Sequence, residues 1–177
     1  MEQNVRSKML VVGYMLAFAV WTRLWPHPWN ATAIGALALF SGSQFKNSWL
    51  ATLLPVAALL VSDFALGFHA TMPFVYGALI LTVLMGQSVK TSPLWLGGAS
   101  LVSSVSFFII SNFGVWLVAG LYPRNWAGFI TCFEMALPFF RGQWVGDLVY
   151  TAIVFGGWAV VRKVVGTMAK EPQQFQM

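Results

Sequence analysis

Acidic, histidine, amide and aromatic side chains that could bind a solute are concentrated at one end of an otherwise apolar chain. The candidate ligand-binding residues are Asp63, His69, Tyr76, Asn112, Trp116, Tyr122, Arg124 and Glu134. Arg23, His27 and Asp147 fall in the same half of the predicted helices. Polar groups of these types donate and accept hydrogen bonds, and the rings can stack on a planar compound. The pattern predicts a binding site for a small polar or aromatic solute.

Asp63 is the strongest single candidate. It follows an apolar run, and an ionisable residue within a membrane segment is a functional candidate by default. A structural role, as a helix cap or as the partner of an arginine, is the alternative. His69 lies in a short loop nearby, where it either contacts a ligand or is only solvated. No metal site is predicted, because zinc takes at least three protein ligands and these are two.

The aromatic and loop candidates have ordinary alternative explanations. Tyr76 and Trp116 can stack on a ligand, but aromatic residues also anchor helices at a membrane interface. Arg124 and Glu134 are predicted to order a lid over the site, and ion pairing within an outer loop is the alternative. Cys132 is predicted to be a small buried hydrophobe rather than a reactive thiol.

The composition is that of an integral membrane protein. The chain has 177 residues, of which 58% are hydrophobic and 8% charged, with a mean hydropathy of +0.73. Soluble domains carry about 25% charged residues. No G-x-x-x-x-G-K-[ST] sequence occurs, so a partner would have to supply any ATP-driven step. The net charge of +5 reflects basic residues at helix ends rather than a nucleic-acid surface.

The apolar segments predict an all-α domain over residues 1–166 with six membrane-spanning helices, each needing about 20 mostly apolar residues. The predicted spans are Met9–Trp25, Ala31–Phe45, Trp49–Gly67, Met72–Val89, Pro93–Ala119 and Trp144–Val161. Residues 125–140 are predicted to form an outer loop or re-entrant helix, because the stretch is short and carries Glu134 near its middle. A seventh crossing is the alternative. Residues 167–177 are predicted to be a disordered cytoplasmic tail.

The lysines and arginines predict the orientation. With six spans, one side receives Arg6, Lys8, Lys46, Lys90, Arg162, Lys163 and Lys170, whereas the other receives Arg23, Arg124 and Arg141. Because cytoplasmic loops carry the excess of these residues, both termini are predicted to be cytoplasmic. The expected location is the bacterial inner membrane, with the polar residues facing outward.

The first span carries small residues at Gly13 and Ala17, a spacing that allows another helix to approach closely. A contact with another helix of the same chain is the ordinary explanation, and docking of a partner protein is the functional alternative. No G-x-S-x-G or H-E-x-x-H sequence occurs. No catalytic set is therefore predicted, and the chain is not expected to be an enzyme.

Several stretches resemble those of a group of small bacterial membrane proteins that are similar to the substrate-binding S-components of energy-coupling factor (ECF) transporters. These stretches are 28–40, 62–69, 112–116, 122–123, 132–140 and 146–148. The resemblance covers most of residues 9–160. It implies six helices, cytoplasmic termini and a vitamin or metal bound near the outer face. It also implies docking through Gly13 and Ala17 onto a transmembrane subunit with two ATPases.

The resemblance leaves the solute open. A cobalamin-type corrinoid held through His69 is one hypothesis, because imidazole is a good cobalt ligand. A smaller aromatic vitamin or nucleobase stacked on Trp116 and Tyr76 is the other. Two further classes remain as alternatives: a small membrane enzyme acting on lipid or isoprenoid substrates, and a structural or assembly subunit.

Overall fold

The described part of the chain is built from α-helices joined by short turns. A computed structural model describes residues 2–25, 30–89 and 92–168, with side chains described over 12–164. Within these residues there are six helices: α1 Glu2–Leu24, α2 Ile34–Gln44, α3 Ser48–Leu66, α4 Met72–Gln87, α5 Pro93–Val118 and α6 Trp126–Met168. The predicted all-α class is confirmed. His27 and most of the predicted disordered tail lie outside the described residues.

Three of the helices are long and apolar enough to cross a membrane. They are Ser48–Leu66, Pro93–Val118 and the Trp126–Val164 part of α6. Large apolar side chains also cover the outside of the bundle, with Trp49 and Leu94 each 86% exposed. A surface of this kind is stable in lipid rather than in water. These features indicate a membrane protein.

Local sequence signals set where several helices begin and end. The side chain of Asn47 accepts a hydrogen bond from the backbone N–H of Trp49 at the start of α3, and Ser92 caps α5 in the same way. Both residues satisfy N–H groups that a helix start leaves free. Gly67, with φ of +95°, ends α3 in a conformation that side chains disfavour.

The short helix α2 is the centre of the bundle. It contacts each of the other five helices, most extensively α4. Its 11 residues extend only about 16 Å, and they are almost all buried. A Cβ on Gly42 would collide with the backbone carbonyl of Val83, and one on Gly86 with that of Leu39. Glycine at both positions therefore allows the backbones of α2 and α4 to touch.

The helices alternate in direction. The end of α1 meets the end of α3 and the start of α4, because Arg23 contacts Asp63 and Tyr76 also contacts Asp63. At the opposite end of the bundle, Ser48 of α3 bonds to Gln87 of α4. The described start of α1 and the described end of α6 consequently lie at the same end. This alternation is the one that a six-span arrangement requires.

The predicted break near residues 141–143 is absent. Residues 126–140 form the first part of α6, a single helix of 43 residues with Pro138 inside it. Its length is about 65 Å. The segment packs along α5 instead of folding as a separate loop: Phe129 meets Trp116, and Phe140 meets Phe108 with ring centroids 4.6 Å apart. Aromatic burial against α5 outweighs the one backbone hydrogen bond that a proline removes.

Glu134, which argued for a loop, is exposed on the surface of α6. The helix therefore carries this acid outside the bundle and does not bury it among the other helices. The cost of a charge at a membrane-facing position is unchanged by this placement.

Candidate functional site

A cavity of about 490 Å³ lies inside the bundle, between the end of α1 and helices α2 to α6. Ligand sites in proteins usually have volumes of about 300–1,000 Å³. Its polar lining consists of Arg23, Asn30, Thr32, Thr82, Ser100, Ser103, Ser111, Asn112, Gln143, Asp147 and Thr151. An aromatic wall is contributed by Phe107, Phe108, Phe139 and Phe140. The cavity thus combines many hydrogen-bonding groups with ring surfaces.

One face of α5 supplies three of the six hydroxyl groups in the cavity lining. Ser100, Ser103 and Ser111 line the cavity, and Ser104 is buried beside them. Residues three and four apart share one face of a helix. The Ser103 hydroxyl donates to the carbonyl of Ala99 at 2.8 Å, which satisfies its proton within the helix. Its lone pairs remain available as acceptors for a ligand.

Asp147 is the acid of the cavity wall. Its Oδ2 accepts a hydrogen bond from the Ser104 hydroxyl at 2.6 Å, and Gln143, whose amide N–H donates to the backbone carbonyl of Ser104, lies beside it. A Cβ on Gly35 would lie 2.6 Å from Oδ1, so glycine on α2 is what leaves room for the carboxyl group. In the part of the chain that the structure describes, no lysine or arginine forms an ion pair with Asp147. Its remaining capacity to accept hydrogen bonds faces the cavity.

Asp63 has the opposite surroundings. Its side chain is only 1% exposed and lies 2.7 Å from Nη2 of Arg23. That N–H is not directed at Oδ1, so the attraction is chiefly coulombic. Tyr76 donates its hydroxyl to Oδ2 at 2.7 Å, and Arg23 donates to the hydroxyl of Ser62 at the same distance. Asp63 therefore positions Arg23, which reaches the cavity, and does not line the cavity itself.

Of the predicted site residues, Asn112 lines the cavity directly. Its Nδ2 donates to the carbonyl of Phe108 at 2.8 Å, which leaves the amide oxygen as an acceptor. Asp63 and Tyr76 are brought together behind Arg23.

The other predicted contacts lie outside the cavity lining. His69 is exposed, with Nδ1 2.7 Å from the Thr71 hydroxyl. Trp116 donates its indole N–H to the carbonyl of Pro123 at 3.1 Å and so holds the turn between α5 and α6. The remaining three are Tyr122, which is half-buried, and Arg124 and Glu134, which are exposed. Contact of these residues with a solute stays a prediction.

The predicted lid is not held by an ion pair, since none joins Arg124 to Glu134 in the described residues. Within those residues, likewise, no group of three His, Cys, Asp or Glu side chains is placed to hold a metal ion.

The small residues of α1 face outward. Gly13 and Ala17 are both exposed, and a Cβ on Gly13 would have no atom within 4 Å. The ordinary explanation, close packing against another helix of the same chain, therefore does not apply to Gly13.

Sequence reasoning missed the serine face of α5, and it placed Asp147 near the site without assigning it to the solute. Hydroxyl residues at helical spacing in an otherwise apolar span were the available signal. Because membrane-buried polar residues face the bundle interior, this signal points to a polar cavity.

Comparison with known proteins gives one match. No curated protein and no solved structure matches the chain. A family of unknown function, DUF6580, matches residues 3–171. The match spans nearly the whole chain, so the protein belongs to the DUF6580 family.

Proposed function

We propose that this protein is a membrane-embedded solute-binding protein that takes up a small, vitamin-like or nucleobase-like compound from the outer face. The observation that carries the proposal is the cavity, in which hydroxyl, amide and carboxyl groups face an aromatic wall inside an otherwise apolar bundle. Polar side chains in a membrane interior are costly and mark solute pathways or binding sites.

The membrane arrangement supports uptake from outside. We propose that all six helices cross the bilayer, with both termini in the cytoplasm. The alternating helix directions and the distribution of lysine and arginine support this topology. In that orientation, Arg23 and Asn112 lie at the outer end of the cavity, where a solute would enter.

The lining indicates the chemistry of the solute. Asp147 would accept hydrogen bonds from N–H or O–H groups, or contact a cationic nitrogen. Arg23 would donate to a carbonyl or another acceptor, and Phe108 and Phe140 would contact a ring. A neutral or cationic heterocycle meets these requirements.

A corrinoid is the less favoured solute. The cavity has the volume of a drug-sized ligand site, and a corrinoid is much larger than such a ligand. His69, the residue that would hold cobalt, is exposed and lies outside the cavity lining. The smaller ring compound therefore fits both observations better.

Binding is preferred to catalysis because of where Ser104 lies. Among the described residues, Ser104 is the one whose hydroxyl contacts the Asp147 carboxylate. Ser104 is nevertheless only 1% exposed, and it forms no part of the cavity surface. A nucleophile must reach its substrate. Ser104 would instead hold Asp147 in position.

We further propose that a partner supplies the energy for transport. The chain carries no phosphate-binding loop sequence. The outward-facing Gly13 and Ala17 would offer a surface for a transmembrane subunit of the ECF kind.

The first test is to purify the protein gently from its native membrane and identify any bound small molecule by mass spectrometry. A stoichiometric heterocycle would support the proposal and name the solute. A defined partner subunit without a small molecule would favour an assembly role, and turnover of a lipid by the purified chain would favour an enzyme.

The cavity is tested with Asp147→Asn, and the same change at the exposed acid outside the cavity lining, Glu134→Gln, tests the predicted lid in parallel. Loss of the Asp147 carboxylate should weaken solute binding by about tenfold or more, as for one charge-assisted hydrogen bond. Glu134→Gln should bind as the wild type does if the cavity alone holds the solute. Equal binding by both variants would place the solute elsewhere.

A further inference from the structure

A second cavity of about 500 Å³ lies nearer the opposite end of the bundle. It is formed by the start of α5, the later part of α6 and the end of α2. Its polar lining consists of Gln44, Thr151, Trp158 and Arg162, and Gly97 lies on the facing helix α5. In the proposed topology this end faces the cytoplasm.

The two cavities share one wall residue. Thr151 lines both, and Ser100 lines the first. The Thr151 hydroxyl donates to the Ser100 hydroxyl across 3.3 Å, and both side chains are almost fully buried. The hydrogen bond joins α6 to α5 at the point where the cavities approach each other. A layer only one side chain thick therefore stands between them at this point.

Trp158, which lines the second cavity, carries an unsatisfied donor. Its indole N–H is shielded from solvent and has no hydrogen-bond acceptor within the described residues. The ring is held edge-to-face against Phe40, with centroids 5.7 Å apart. A buried polar group without a partner costs about 1–3 kcal/mol, so the indole would gain if side-chain movement exposed it to an acceptor in the cavity. Arg162, which lines the same cavity, would attract an acceptor group as well.

From these observations we infer that the two cavities are the outer and inner halves of one solute path between α5 and α6. The path is closed in this structure at the Thr151–Ser100 contact. After passing this contact, an acceptor group of the solute would meet Arg162 and, once the ring moves, the Trp158 N–H. This inference rests on the proposed function, because it assigns the direction in which a bound solute would move.

Cysteine labelling tests the path without knowledge of the solute. In a Cys132→Ala background, single cysteines are placed at Ser103 in the outer cavity, at Gly97 in the inner cavity and at Thr151 between them. A Cβ on Gly97 has no atom within 4 Å, so the cysteine fits there. Ser106→Cys is the matched control on α5, because Ser106 lines neither cavity.

The probe is trimethylammonium-ethyl methanethiosulfonate, which does not cross membranes, applied to either side of oriented vesicles. Ser103→Cys should react from the outside only, Gly97→Cys from the inside only and Thr151→Cys from both sides. The control should react from neither side. Reaction of Gly97→Cys and Ser103→Cys from the same side, or of Thr151→Cys from one side alone, would overturn the path.

The barrier is tested by combining Gly97→Cys with Thr151→Ala. Outside reagent should then reach the cysteine at least about tenfold faster, because thiol modification depends on access. The control is Val149→Ala, on the exposed face of α6. An unchanged rate would show that Thr151 does not close the path.

Any small molecule that co-purifies with the same proteins is measured separately by mass spectrometry. Retained binding with a failed labelling pattern would reject the path and keep the proposed function. The expected labelling pattern without any solute bound would keep the path and reject the function.

Discussion

Two carboxylates in this protein, the buried Asp63 and the half-buried Asp147, have opposite surroundings. Asp63 is enclosed by Arg23 and Tyr76, which supply a cation and a hydroxyl donor. Asp147 has a serine and a glutamine beside it, no cationic partner among the described residues, and an open face on the cavity. An acid whose partners all come from the protein fixes the fold, whereas an acid with free capacity in a cavity can bind a ligand. The difference separates a structural cluster from the proposed binding site.

The largest expected effect is on stability, from Asp63→Ala. The substitution leaves Arg23 and the Tyr76 hydroxyl without their partner, and removing one member of a buried ion pair costs about 3–5 kcal/mol. Because the Arg23 side chain is 18% exposed, the lower end of that range is expected. Thermal unfolding in detergent measures the loss, with exposed Glu134→Ala as the control. Unfolding at the wild-type temperature would show that the cluster does not hold α1, α3 and α4 together.

Gly35→Ala tests the space around Asp147. The new Cβ would lie 2.6 Å from Oδ1 and must displace the carboxyl group. Overpacking of this kind costs about 1–3 kcal/mol, and solute binding should fall as well. Gly13→Ala is the matched control, because its Cβ meets open space. It should be neutral or stabilise α1 by about 0.5–1 kcal/mol. Identical behaviour of the two variants would mean that Gly35 does not position Asp147.

Tyr76→Phe is expected to have the smallest effect. It removes one hydrogen bond to Asp63 and should lower stability by about 1 kcal/mol. Solute affinity should not change, because Tyr76 does not line the cavity. Parallel measurements of unfolding and binding separate the two effects. A binding loss as large as that of Asp147→Asn would show that the residues around Asp63 and the cavity around Asp147 form one binding site.

Much of the fold could be predicted from the sequence. Apolar runs placed α3 and α5 within one residue of their observed ends, and the structure has a proline in the first turn of both α4 and α5. The prediction was wrong between Phe140 and Trp144, where the structure continues α6. A proline and a charge in one segment are strong local signals for a break. The packing of Phe129, Phe133 and Phe140 along α5 outweighs these local signals. Only the tertiary structure reveals that packing.

The candidate site could be predicted less well. Residue type identified Asn112 and Asp63, but it could not show that one lines the cavity and the other lies behind Arg23. Loop residues such as His69 and Arg124 attracted attention because polar residues are rare in this chain. In the structure both side chains are exposed and point away from the bundle interior.

By itself, the amino-acid sequence determined the helical class, the membrane character and the end of the bundle where Asp63 and Arg23 lie. These properties depend on local hydropathy and on the cost of burying charge. Only the tertiary structure decided which acid is neutralised and which remains free. That choice depends on distances between α2, α5 and α6, above all on a glycine at position 35 that leaves room for Asp147. Contacts between residues more than a hundred positions apart leave no local pattern in the chain.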